Sequence, residues 1–136
     1  MTATKVCPVV LRGVGSAVEI LAFEHPLAGH QLVKGGIEGG ESVEAAALRE
    51  LTEESGIESA NVVRHLGDWS SGVDDQVWCF LLCAPVQTLP DAWTHHTLDD
   101  GGHRFRFYWH PLFGTASANQ WHASFRGALA FIQNAQ

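Results

Sequence analysis

The chain has 136 residues, of which 46% are hydrophobic and 17% charged, a globular composition large enough for one domain with a real core. Its formal net charge of −7, with no run of Lys or Arg, excludes a general nucleic-acid binder. An acidic chain still accepts polyphosphates where a metal ion reverses the local sign.

No stretch is long enough to span a membrane as a helix. The opening "MTATKVCPVVLRG" reads as a strand, not a secretion signal. Cys7, Cys79 and Cys83 lack zinc spacing, so reduced, buried thiols in a cytoplasmic protein are expected. No repeat or linker divides the chain, and a single domain over 1–136 is expected.

In chain order, 5–13 and 17–26 are β-rich runs around Gly13–Gly15 and predict an early hairpin. Pro8 asks for an edge position or a bulge in the first run. A short strand at 30–33 leads into a glycine loop, 35–40. The segment from Ser42 to Ser55 predicts a helix, with Ser42 as N-cap and Gly56 as stop. Two further strands follow, 60–69 and 76–86, and the second is apolar on both faces, as a central strand would be. Residues 89–103 carry turn chemistry and little periodicity, which predicts a long loop. A strand at 104–112 sets Arg104 and Arg106 against Phe105 and Phe107. An amphipathic helix at 119–133 closes the chain. Strands with two helices predict an α+β domain of α/β/α layers with a mixed sheet.

The chemistry concentrates in "KGGIEGGESVEAAALRELTEESGI", residues 34–57. At 100° per residue, Glu50, Glu53 and Glu54 fall within an arc of about 100° on the helix. Such a stripe of carboxylates repels itself unless a cation sits among them, and magnesium suits an all-oxygen site. Arg49 is placed to pair with Glu53 or with Glu41. The glycines permit a tight loop that turns a backbone carbonyl toward the metal. The loop leads into a helix amino terminus, where anions are also favoured.

Gly35, five residues, Glu41, seven residues, Arg49-Glu50-Leu51, one residue, Glu53-Glu54, one residue, Gly56-Ile57: this spacing resembles the complete Nudix box. At average residue frequencies it arises by chance with a probability on the order of 10⁻⁸ in such a chain. The resemblance implies the Nudix α/β/α sandwich, with the box as a loop–helix–loop. It also implies an enzyme, a hydrolase of phosphoanhydride bonds that cleaves a nucleoside diphosphate linked to another moiety X. Carried over by position, Glu50, Glu53, Glu54 and the backbone carbonyl of Lys34 would hold Mg²⁺, with Mn²⁺ as its substitute. Arg49 and Glu41 would orient the cluster. The general base would be Glu50, Glu53, or a loop acid such as Asp99 or Asp100.

For the substrate, Lys34 before the box glycine is similar to the dinucleoside polyphosphate hydrolases, although Val33 and His30 stand where that branch shows a proline and an aromatic. Lys34, Arg104 and Arg106 are candidate phosphate contacts, and Trp93 a candidate for base stacking. Cleavage of a nucleoside triphosphate or nucleotide sugar is the alternative chemistry, and a non-catalytic nucleotide sensor the alternative class. The expected partner is a small nucleotide or polyphosphate, with no nucleic acid and no membrane. A homodimer is compatible with this reading.

Overall fold

The computed structural model of the chain describes residues 2–98 and 101–136. The first β-rich run divides at Val10 between two sheets. β1 (Lys5–Val9) runs parallel to β7 (Val77–Pro85), whereas β2 (Leu11–Arg12) pairs antiparallel with β3 (Glu19–His25). The predicted hairpin therefore forms from the end of the run alone. Pro8 sits where its missing N–H does least harm: β5 (Gly35–Gly36) pairs only with Lys5 and Val6, so β1 at Pro8 has a neighbour on one side.

The first sheet has the order β5-β1-β7-β6, where β6 spans Ala60–Ser70. It is mixed, because only β1 and β7 are parallel. β7 is central, as its apolar run predicts. The second sheet is antiparallel, with order β2-β3-β9-β8, and the short β4 (Gly29–Gln31) pairs with β3. β8 spans Trp93–Thr97 and β9 His103–Pro111.

β8 corrects the expected long loop at 89–103. Trp93–Thr97 pair residue by residue with Phe107–His103 of β9. Two adjacent histidines and two threonines hide the alternation, and a ladder six to fourteen residues away in sequence supplies what local pattern lacks.

Alternation along the strands builds two cores on opposite faces. Val6, Cys79, Leu81 and Cys83 pack with Ala46, Ala47 and Leu51 of α1 (Val43–Ser55), joined by Phe23, Phe105 and Phe107. Cys7, Val9, Trp78 and Phe80 pack with Phe125, Ala128, Leu129 and Ile132 of α2 (Ala123–Asn134). The layers are helix, sheet, helix. α2 begins later than predicted because Trp121, 3% exposed, is held outside the helix by a bridge to His30. All three cysteines are free and buried, and burial pushes the Cys83 thiol up to about 11.

The caps of α1 are as predicted. Ser42 Oγ accepts the Ala45 N–H at 3.1 Å, and Gly56 closes the helix at φ 82°, where a side chain would be strained. We expect Ser42→Ala to lower unfolding free energy by about 1 kcal/mol. A denaturant titration measures this directly, and an unchanged midpoint would show the cap to be idle.

Candidate active site

The glycine strand and the helix that follows bring four carboxylates within 4.0 Å of one guanidinium, with Glu54 a fifth nearby. Arg49 grips Glu41 with two hydrogen bonds, Nε to Oε2 at 2.8 Å and Nη2 to Oε1 at 2.9 Å. Nη2 also donates to the Gly36 carbonyl at 2.8 Å, tying the helix to β5. Nη1 donates to Glu50 at 2.8 Å and to Glu53 at 3.3 Å, with Glu38 at 3.7 Å. The sequence left Glu41 and Glu53 as rival partners. In the fold both are engaged, because one planar fork offers five N–H donors. Glu54, the fifth carboxylate, accepts the Lys34 N–H at 3.1 Å.

Glu50 is only 7% exposed, and Gly35 makes its place. A Cβ on Gly35 would lie 1.9 Å from the Glu50 carboxyl carbon. The box glycine is thus a cradle for a carboxylate as well as a loop residue.

The Arg49 hydrogen bonds hold the Glu41 carboxyl down at about 2, from an ordinary 4.5, and the same contacts raise Arg49. A depressed carboxylate contributes stability that is complete above its unfolded value and lost as pH falls through the folded one. The Arg49–Glu41 contribution should therefore drain away between pH 4.5 and about 2. Melting temperatures across that window should fall less steeply in Glu41→Gln than in wild type, and parallel curves would contradict the assignment.

One guanidinium does not neutralise five carboxylates, and this surplus is what a divalent cation would offset. The donor set fits one: hard carboxylate oxygens, with the backbone of Lys34 beside Glu54. Among the described residues, no three acidic, histidine or cysteine side chains already converge on one point. Glu50 and Glu53 each give one oxygen to Arg49.

The other candidates lie elsewhere. Phe105 and Phe107 enter the core shared with α1, so Arg104 and Arg106, alternating with them, occupy the sheet face turned away from that helix. Arg106 stands 3.8 Å from Glu24 across the strand pair, and Arg104 lies opposite His96. Trp93 is committed to the fold: its ring stacks on Phe107 at 5.1 Å and 8°, and Nε1 donates to the Ser55 carbonyl at 2.9 Å. Asp99 and Asp100 lie outside the described residues.

Two neighbours of the site went unpredicted. His95, within the expected loop 89–103, donates from Nε2 to the Glu53 carbonyl at 3.1 Å and packs against Gly56. Lys5 of β1 pairs with Gly36, its ammonium 3.8 Å from where a Gly36 Cβ would be. The β-run that contains Lys5 was legible, but its pairing with the glycine loop was not.

Comparison with known proteins bears on the family and the fold. The NUDIX domain family matches residues 3–125. Nudix hydrolase 25 of Arabidopsis thaliana is 49% identical over 39 residues, covering 29% of this chain and 22% of that relative's length. Three crystal structures share the fold. An ADP-ribose pyrophosphatase from Streptococcus suis has a TM-score of 0.62 at 13% identity, over 96% of this chain and 90% of that one. A UDP-X diphosphatase has 0.63 at 15%, over 100% and 66%. A MutT NUDIX hydrolase from Burkholderia pseudomallei has 0.57 at 20%, over 97% and 99%.

Proposed function

Because the chain belongs to the NUDIX domain family, we propose that it is a magnesium-dependent pyrophosphohydrolase acting on a nucleoside diphosphate linked to X. A dinucleoside polyphosphate is the substrate we favour. The observation that carries this reading is the carboxylate surplus around Arg49, which is costly to the fold and useful to an ion-assisted reaction. A non-catalytic sensor has no need to keep every one of these glutamates.

Glu50, Glu53, Glu54 and the Lys34 carbonyl are the groups we assign to Mg²⁺, with Mn²⁺ as its substitute. When bound, the ion would neutralise phosphate charge and acidify a coordinated water. The chain's own residues do the rest. Arg49 fixes Glu41 and Glu50 against the glycine strand, so the site is organised before substrate arrives. Gly35, lacking a side chain, leaves the space that the Glu50 carboxyl occupies.

A water attacks phosphorus in line, the bond from phosphorus to the bridging oxygen breaks, and that oxygen leaves with the departing phosphate. The water's proton passes to a carboxylate. Of the two box candidates, Glu53 is better placed to receive it: its side chain is 40% exposed, against 10% for Glu50.

The test is a panel of diadenosine polyphosphates, nucleotide sugars, ADP-ribose and nucleoside triphosphates, assayed with magnesium, with manganese and with chelator. Chelator-sensitive cleavage, fastest on the dinucleoside polyphosphates, is expected. Binding without turnover across the whole panel would favour the sensor, and fastest cleavage of another class would displace the favoured substrate.

A further inference from the structure

We infer that Lys5 and Lys34 together form an anion seat beside the carboxylate cluster, and that it holds the additional phosphate of a chain of three or more, an inference that rests on the pyrophosphohydrolase reading and narrows its substrate. These are the only two lysines in the chain. They are far apart in sequence, yet the β1–β5 pairing brings them to the same corner. Lys5 stands opposite Gly36, and Lys34 directly precedes the cradle glycine Gly35.

Lys5 is also in register with Trp78 on β7. The Lys34 ammonium lies over that tryptophan's ring, 4.5 Å from its centre, and 5.7 Å from the centre of Phe125. Both cations are therefore gathered around the same end of β1 and β7. The backbone of Lys34 meanwhile contacts Glu54, which places the seat next to the carboxylates without merging the two.

The pairing pattern is what points to a ligand. The chain is strongly acidic, and Arg12, Arg49 and Arg106 all stand within 4.0 Å of carboxylates. Among the described residues neither lysine has such a partner, although six glutamates crowd the neighbouring loop and helix. An anion at that corner would give both ammonium groups an opposite charge.

The chemistry of the anion follows from position. The cleaved diphosphate must lie against the carboxylates, so two extra positive charges just beyond them serve a third phosphate. Compact, rotatable ammonium donors suit phosphate oxygens presented at more than one angle. Lys5 acts in this picture as a residue that selects chain length and positions the substrate.

The experiment uses inorganic tripolyphosphate and pyrophosphate as probes, titrated calorimetrically into the full chain with magnesium. Wild type should prefer tripolyphosphate by about tenfold, the low end of what a hydrogen bond to a charged group contributes. Lys5→Gln should erase most of that preference, and Lys5→Arg should keep it. An undiminished preference in a Lys5→Gln protein that melts like wild type would overturn the seat.

A second measurement needs no variant. Reductive ¹³C-dimethylation keeps the charge and labels only these two side chains and the amino terminus. Both lysine signals should move as tripolyphosphate is added, and two stationary signals at saturation would also overturn the proposal. Neither probe is a test of turnover. Lysine-dependent binding in a protein that cleaves nothing on the panel would sink the hydrolase reading alone. Cleavage without any Lys5 dependence would sink the seat alone.

Discussion

Glu54→Gln should lower turnover by about 10²–10³-fold, the loss seen when one electrostatic element is removed from a reaction centre, while leaving the fold in place. The substitution is nearly isosteric. A glutamine oxygen can still accept the Lys34 N–H that Glu54 now takes at 3.1 Å, and glutamine favours a helix as well as glutamate does. Removing one negative charge from a crowded acidic stripe should, if anything, ease repulsion in the metal-free protein. Stability and activity are thus expected to move in different directions. Circular dichroism and melting temperature report the first, and magnesium-dependent cleavage the second. Full turnover in Glu54→Gln would remove this residue from the site, and an unfolded variant would show its role to be structural.

The second large effect is expected at a residue with no functional group. In Gly35→Ala the new methyl would meet the Glu50 carboxyl carbon at 1.9 Å and its Oε2 at 2.1 Å. Those atoms are the far end of a flexible side chain, so they can swing away at modest cost to the fold. Alanine also restricts the unfolded chain, which offsets part of that cost. The carboxylate, however, is driven off the position that Arg49 now fixes at 2.8 Å. Misplacing a group at a reaction centre by about an ångström can cost 10²-fold, and we expect a turnover loss of that order with little change in melting temperature. Gly39→Ala is the matched control. A Cβ there meets nothing within 4 Å, so activity should stay within about twofold, as for a neutral surface change. Equal activity in the two variants would show that the position of Glu50 does not matter.

These two expectations had different visibility in the sequence. Glu54 was legible because a helix converts spacing into angle, so a run of thirteen residues with clean caps states which side chains share a face. The same rule located Glu50 and Glu53 and made Arg49 a hub, although it left open which carboxylate the hub would choose. Gly35 was legible as a loop residue only. Its function as a cradle depends on Glu50 arriving from fifteen residues downstream, a distance no local rule reports.

The strands show the same division. β7 was readable as central because nine consecutive residues are apolar on both faces. β8 was hidden because its own residues carry little pattern, and the ladder from β9 decides its conformation. Its formation braces Trp93, with one face on Phe107 and its N–H on the end of α1. It likewise brought His95 onto the Glu53 backbone.

By itself the order of residues determined the acidic helix, its caps, the glycine loop before it and the layered α+β class. These depend on periodicities of two and 3.6 residues, and short stretches contain them in full. Only the tertiary structure decided that Lys5 meets Gly36, that Glu50 fills the space Gly35 leaves, and that Arg104 and Arg106 face away from α1. The reason is physical: each of those outcomes is set by strand pairing or packing between segments distant in sequence, where burial and register outweigh any preference of the residues themselves.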